Sequence, residues 1–496
     1  MRHASLSAFL SELQDNSELV RIVAPVDSAL EMAAITDRVV KTSLDGGPAL
    51  LFDNVKNATI PVVTNLLGSQ RRICRCLGVS DLNDISDVLD QRLLSEQPSG
   101  WLDSFKLGSG WGGLGKWASI SVKTAACQQI VRLGRDVNLW DLPIPRNWPG
   151  ESFPVITGGQ LVIGSSSEEN ATIFRTPLVV VNQRQIGLFD DKLIQTALLK
   201  STAQAEQNLP IAISLGGDPV LTIASAMPSI RNTRLFAGLL RGAGLEMVRC
   251  RTNDLEVPAE AEIVIEGYID STNARTLESI SVGRGSGRYV DRILPLIQVT
   301  AITHRANPVL PAIIVAAPQS EESWIDRATD RMALPILRRQ LPEIVDIHRP
   351  VCSAGRNLLF VSIHKTNDFQ ARRVLHALWG SELFGQTKII VVVDSDQNVH
   401  DDGQVWFSVG TNACPDRDFM FADGLARDDD YTTLTSARAS LVGIDATRKR
   451  DAESSHVWPH SMNASAETLS RVESRWREYG LEEFIKNQHL SNKSKN

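Results

Sequence analysis

Cysteine is scarce and scattered: six in 496 residues, at Cys74, Cys76, Cys127, Cys250, Cys352 and Cys414. No two of them form a Cys-x-x-Cys pair, which excludes a zinc knuckle and gives no disulfide framework. Positive charge is not in excess. The formal net charge is −7, which argues against a nucleic-acid binder with its basic face. Long apolar runs are absent. The longest, Val309 to Pro318, is broken by Pro311 and falls far short of the ~20 residues that span a bilayer. Met1 to Val20 has no apolar core of a secretory signal, so a reducing cytoplasm is the expected compartment. No internal repeat and no low-complexity tract occurs. Disorder is excluded by composition, with 43% hydrophobic and 22% charged residues well mixed.

The patterns along the chain divide it into units. Leu6, Phe9, Leu10 and Leu13 recur at helical spacing and predict a first helix ending near Asn16. A strand is expected over Leu19–Val26, a helix over Leu30–Val40, a turn at Gly46-Gly47-Pro48 and buried strands at Ala49–Phe52 and Pro61–Leu67. The glycine cluster Gly108–Gly115 lacks the Lys-Ser/Thr of a phosphate loop and reads as a connector. From residue 118 the runs become short and β-rich: Gly159–Ile163, Thr172–Arg175, Leu178–Val181 and Glu262–Gly267. Helices interrupt them at Leu193–Gln207 and Leu235–Arg241, which predicts a barrel with inserted helices. After residue 323 the pattern alternates again. Leu359–Ile363 and Lys388–Val393 read as buried parallel strands with the helix Phe369–Trp379 between them. A last helix is expected over Ala466–Tyr479. The expected fold class is α/β (α+β). Its units are an N-terminal α/β domain (1–117), a central split β-barrel (118–322), a C-terminal α/β domain (323–451), and a C-terminal helix and tail (452–496) that forms an oligomer contact.

Several motifs add up to more than a fold class. They are Val26-Asp27 with Glu31, Gly47-Pro-Ala-Leu-Leu-Phe52, Ala126-Cys-Gln-Gln129 and Asn170-x4-Arg175. Further on come Leu235-Phe-Ala-Gly-Leu-Leu-Arg-Gly242, Asn253 to Gly267, Leu341 to Asp346, Val393-Asp-Ser-Asp396 and Gly443-Ile-Asp-Ala-Thr447. Together these resemble the UbiD family of prenylated-flavin decarboxylases, over nearly the whole chain. The resemblance implies a central barrel that binds prenylated FMN with a divalent metal (Mn or Mg). It also implies a small-molecule carboxylic acid as substrate and a flavin prenyltransferase as supplier of the cofactor. The expected assembly is a homo-oligomer, or a mixed oligomer with a related subunit. In such enzymes the cofactor does the hard chemistry while the protein supplies position and protons.

The same resemblance implies site residues. Asn170 matches the amide ligand to the metal. Ile173, Phe174 and Arg175 match the segment lining the cofactor, and Arg175 matches the catalytic arginine, whose planar fork suits a carboxylate. Read without the resemblance, Asn170 is a turn residue and Arg175 one half of an ion pair. Other positions depart from the family. Thr233 stands where a metal-binding glutamate is usual, and a hydroxyl brings no charge to hold a hard cation. The metal-binding histidine is missing, and Gly187-Leu-Phe-Asp190-Asp191 fills its region; the two aspartates read either as ligands or as the acidic opening of a helix. The family pairs two carboxyls across a Glu-Gly-Pro-Phe/Tyr-Gly-Glu/Asp turn, one protonated to deliver a proton to carbon. Here Glu278 is the one acid of that stretch, read either as the first acid beside Arg175 or as a solvated loop residue. The second acid's place falls on Val282 or Gly283, among Arg284 and Arg288, and Asn412 replaces a further arginine. The expected function is a decarboxylase with atypical catalytic residues. The alternative is an inactive or redirected paralogue serving as a ligand-binding or structural subunit.

Overall fold

The computed structural model describes residues 5–43, 45–94, 114–164, 172–189, 208–227, 232–281, 289–353, 356–425, 432, 438–454, 458 and 464–480. Asn170, Asp190, Asp191, Val282, Gly283, Arg284, Arg288 and the expected helix 193–207 lie outside them.

The apolar run Ala49–Phe52 is buried at all four positions, because it is one of the two inner strands of the first sheet. It runs parallel to Leu19–Ile22 and antiparallel to Val62–Thr64. The amphipathic helix Leu6–Asp15 lays Leu6, Phe9, Leu10 and Leu13 into the core. The fourth strand of this sheet is Leu310–Ala312, parallel to Val62–Thr64. The chain therefore returns to the N-terminal sheet after completing the central domain, a long-range pairing that local pattern does not carry.

The central sheet has nine strands and forms the expected split barrel. Its spine is the hairpin of Ile263–Ser281 with Tyr289–His304. The strand Gly159–Ile163 pairs with Asn208–Leu215 on one side and with Thr172–Arg175 on the other. Side chains alternate across a strand, so Phe174 joins the barrel interior with Leu161, Ile211 and Ile213, while Ile173 joins a second core with Val162 and Ala212. Two helices cover that second face: Pro219–Ala224, with Pro219 in its first turn and Asp218 as its cap, and Thr233–Arg241, which ends at the left-handed Gly242. The second helix is pressed against the backbone of Trp117; a Cβ on Gly238 would lie 2.1 Å from the Trp117 carbonyl oxygen. Gly238→Ala should therefore cost at least about 2 kcal/mol, read as a lower midpoint of thermal unfolding; an unchanged midpoint would mean that this contact is not made.

The C-terminal sheet has a parallel centre of Leu358–Ile363, Ile389–Asp394 and Arg438–Asp445, flanked by antiparallel Ile344–His348 and Phe419–Leu425. The helix Gln370–Trp379 crosses between the first two central strands, as its spacing predicts. The last described helix, Ala466–Ser474, buries none of its residues.

One element ties the units together. The helix Glu321–Gln340 packs on Gln70–Leu77 and Asp84–Leu94 of the N-terminal unit, on Pro219–Ala224 of the barrel and on Ile344–His348 of the C-terminal sheet. It buries Glu321, Glu322, Asp326, Asp330 and Arg331 along with its apolar face. Buried charges need partners, and these come from all three units: the Leu67 amide, Arg175, Arg356, Arg349 and Asp346. The boundary expected between 322 and 323 falls in the first turn of this helix.

Candidate active site

The strand Thr172–Arg175 sets the geometry of the site. Arg175 lies opposite Gln160, and its amide donates to the Ser225 carbonyl at 3.2 Å, just past the helix Pro219–Ala224. Ile173 and Phe174 are both buried. Arg175 points out of the barrel interior toward the first turn of Glu321–Gln340. There its Nη2 donates to both carboxylate oxygens of Glu322, at 2.6 and 2.7 Å, with each side chain 8% exposed. The Nε and Nη1 of Arg175 are buried with no hydrogen-bond partner among the described residues. A buried guanidinium with unmet donors is costly unless an acceptor arrives. That is the character of a ligand site.

Glu321, next in the chain to Glu322, faces inward as well. Its Oε1 accepts from the Leu67 amide at 2.7 Å, and its Oε2 is buried without a hydrogen-bond partner among the described residues. Arg72 flanks it, donating to the carbonyls of Leu66 and Asn65 at 3.0 and 3.1 Å. Burial pushes the Glu321 carboxyl up to about 7, against the pull of the Leu67 amide, Arg72 and Arg175. Both glutamates open a helix whose N-terminal dipole favours negative charge. Sequence reasoning passes over them, since Ser320-Glu321-Glu322-Ser323 looks like an ordinary acidic first turn; only the return of Leu310–Ala312 to the N-terminal sheet carries this turn to Arg175.

The raised carboxyl makes stability depend on pH. Below about 4.5 Glu321 is protonated folded and unfolded alike. From there to about 7 the folded chain keeps a proton that the unfolded chain has released, so stability falls as pH rises through that window, and above 7 the loss is complete. The loss is on the order of 3 kcal/mol. Glu262, also pushed up to about 7 by burial, adds a loss of the same sign. Glu321→Gln should therefore flatten the fall in melting temperature between pH 5 and pH 8; an equal fall in wild type and variant would contradict it.

The structure brings together Arg175, Ile173, Phe174 and Thr233, and leaves Glu278 elsewhere. Thr233, 3% exposed, donates its hydroxyl to the Ile173 carbonyl at 2.7 Å. Glu278 lies in the long hairpin where the register shifts between Leu277 and Ile280, beside Ser279 at φ 54. Its side chain is exposed, and no hydrogen bond or ion pair joins it to Arg175. Asn412 donates to the Ala446 carbonyl at 3.1 Å, in the C-terminal unit. Among the described residues no group of three His, Cys, Asp or Glu side chains comes together to hold a metal ion. The buried, unpartnered donors of Arg175 do fit an acceptor-rich ligand such as a flavin ring or a carboxylate.

A split barrel between two α/β units, with a buried arginine and acid at their junction, defines a class of three-domain proteins. Three family models match successive parts of the chain: the 3-octaprenyl-4-hydroxybenzoate carboxy-lyase N-terminal domain over 10–91, its Rift-related domain over 119–318 and its C-terminal domain over 323–446. A protein of Archaeoglobus fulgidus is 36% identical over 96% of this chain and 99% of its own length. The UbiD-class enzyme HmfF of Pelotomaculum thermopropionicum, solved in complex with FMN, is 25% identical, with a TM-score of 0.75 over 92% of this chain and 97% of that one. An evolved dimeric form of HmfF was solved with prFMN. The vanillic acid decarboxylase of Sedimentibacter hydroxybenzoicus in closed form superposes with a TM-score of 0.84 at 22% identity, covering 97% of this chain and 99% of its own. The chain belongs to the UbiD family of carboxy-lyases. No helix among the described residues is long and apolar enough to cross a membrane.

Proposed function

We propose that this protein is a prenylated-FMN-dependent decarboxylase that removes CO2, without oxidation, from an aromatic or α,β-unsaturated carboxylic acid. One observation carries the reading: Arg175 is buried on the strand that the family resemblance assigns to the cofactor, with Nε and Nη1 unpartnered among the described residues. When bound, the prenylated ring supplies the electron sink for CO2 loss. Ile173 and Phe174 hold the strand beside the ring, and the Arg175 guanidinium orients the substrate carboxylate through its unmet N–H groups. Glu322 would hold the guanidinium in place through Nη2. Asn170 is proposed as an amide ligand to a divalent metal and Glu278 as an acid that the hairpin can bring toward the site. A flavin prenyltransferase supplies the cofactor, and the solvent-facing helix Ala466–Ser474 is proposed as the contact with a second subunit, identical or related. The cytoplasm is the proposed compartment, in keeping with the free thiols of Cys74, Cys127, Cys250 and Cys414.

A second reading has its own observation. Thr233 is engaged by the Ile173 carbonyl, where a charged metal ligand would serve catalysis better. On that reading the chain is an inactive or redirected paralogue that binds a ligand or supports an intact relative. The experiment that separates the two is turnover by the full chain co-expressed with a flavin prenyltransferase, offered a panel of aromatic and unsaturated acids. CO2 release that disappears in Arg175→Met supports the decarboxylase. A flavin-free protein that releases no CO2 and co-purifies with a second decarboxylase-like chain supports the subunit.

A further inference from the structure

Beyond its strand pairing opposite Gln160, Arg175 is held at two points. Its amide donates to the Ser225 carbonyl at 3.2 Å, and its Nη2 donates to Glu322 in the first turn of Glu321–Gln340. Ser225 closes the short helix Pro219–Ala224. One side chain of the C-terminal unit reaches both supports. Arg356 stands between the turn Val351–Ser353 and the strand Leu358–Ile363. Its Nε and Nη2 donate to Asp326 Oδ1 at 3.0 and 2.9 Å, and Nη2 also donates to the Ala226 carbonyl at 3.2 Å. Ala226 follows Ser225 in the chain, and Asp326 lies one turn past Glu322 on the same helix. The Arg356 and Asp326 side chains are 16% and 4% exposed, so water competes little for these bonds.

A guanidinium is a planar fork with fixed donor directions, so one arginine that bonds two acceptors fixes them relative to each other. Arg331 gives the contrast. It lies further along the same helix and also spans units, donating to Asn83 at 3.1 Å, to Asp346 at 2.6 Å and to the Ile347 carbonyl. None of those acceptors adjoins a support of Arg175. We propose that Arg356 is a positioning residue for Arg175: seating of the C-terminal unit, through this clasp, holds the amide support and the side-chain support of Arg175 in register. With the clasp open, the Ser225 and Glu322 supports move independently, and the Nε and Nη1 of Arg175 lose their fixed direction. The consequence for turnover rests on the decarboxylase reading, in which Arg175 orients a substrate carboxylate; the mechanical coupling does not. An ion pair kept only for stability would act on the whole fold alike, whereas a clasp acts first at Arg175.

The test is hydrogen exchange of the full chain, read at the Arg175 amide in wild type, Arg356→Met, Arg356→Lys and Arg331→Met. Exchange reports local opening, so Arg356→Met should exchange at that amide about tenfold faster than wild type. The amides of Leu161 and Ile213, in the paired barrel strands, should keep their rates. Arg356→Lys keeps a cation beside Asp326 without the fork and should fall between the two; it carries the test if Arg356→Met does not fold. Arg331→Met loosens the same helix elsewhere and should leave the Arg175 amide at the wild-type rate. A wild-type rate in both Arg356 variants, or an equal acceleration at Leu161 and Ile213 or in Arg331→Met, would overturn the proposal. In flavin-loaded protein, Arg356→Met should lower kcat/KM about tenfold, chiefly through KM, and Arg356→Lys should restore part of it. Wild type that holds no flavin and releases no CO2 overturns the decarboxylase reading alone, and the exchange rates still decide the coupling.

Discussion

Glu322→Ala should lower the thermal midpoint by roughly 3–5 °C, because it strands a buried guanidinium. Arg175 has Nη2 on Glu322 and no other side-chain partner among the described residues. Removing one member of a buried ion pair costs roughly 3–5 kcal/mol, most of it the penalty of the charge left behind. The pair itself need not stabilise the fold, so the double variant Arg175→Met/Glu322→Ala should recover most of the loss. Differential scanning fluorimetry on the two single variants and the double variant measures this coupling. Additive losses would mean that the two side chains do not depend on each other. A large coupling would support a pair kept for what it does to a ligand, since apolar packing could serve the fold as well.

The second large effect concerns Thr233. Its hydroxyl now satisfies the Ile173 carbonyl in a nearly closed space. Thr233→Glu removes that bond and brings a carboxylate into the same space, so in metal-free buffer the variant should melt well below wild type, by several kcal/mol of stability. The family resemblance places a metal-binding glutamate there, so Mn2+ or Mg2+ at ~100-fold above its dissociation constant should return about 2.7 kcal/mol to the variant. The same ion should leave the wild-type midpoint nearly unchanged. Melting curves with and without the ion decide it. A variant that loses stability and gains nothing from either ion would show that position 233 does not face the family's metal site, and with it that the matched segments are out of register.

Much of the fold is legible because its signals are local. Ala49–Phe52 is apolar at every position and is one of the two inner strands of its sheet, and Thr172–Arg175 has the length and composition of the short strand it forms. Helix Leu235–Arg241 is recognisable from its spacing, and the structure extends it by one half-turn to Thr233, behind its Asn232 cap. What is not legible is long-range or irregular. The strand expected over Glu262–Gly267 runs on to Ser281, through register shifts that break the alternation a strand is recognised by. The expected stop of the first strand at Val26 is early, at Ile22, before the bridge of Val26 to Val55. At the candidate site, the strand Thr172–Arg175 is legible from its composition, and Arg175 is singled out by the family resemblance. Its carboxylate partner is not, because Glu322 lies 147 positions away and is brought close by a strand that crosses between domains. The hairpin acid Glu278 is nearer in sequence logic, yet its side chain faces solvent.

The most direct measurement is a structure of the full chain purified after co-expression with a flavin prenyltransferase. The account predicts a flavin ring seated against Ile173, Phe174 and Arg175, with Glu322 still holding Nη2 and the Nε and Nη1 of Arg175 left to meet a substrate carboxylate. A pure, folded protein with no flavin on that strand, or with Arg175 turned away from Glu322 toward two acids of the hairpin, would contradict it.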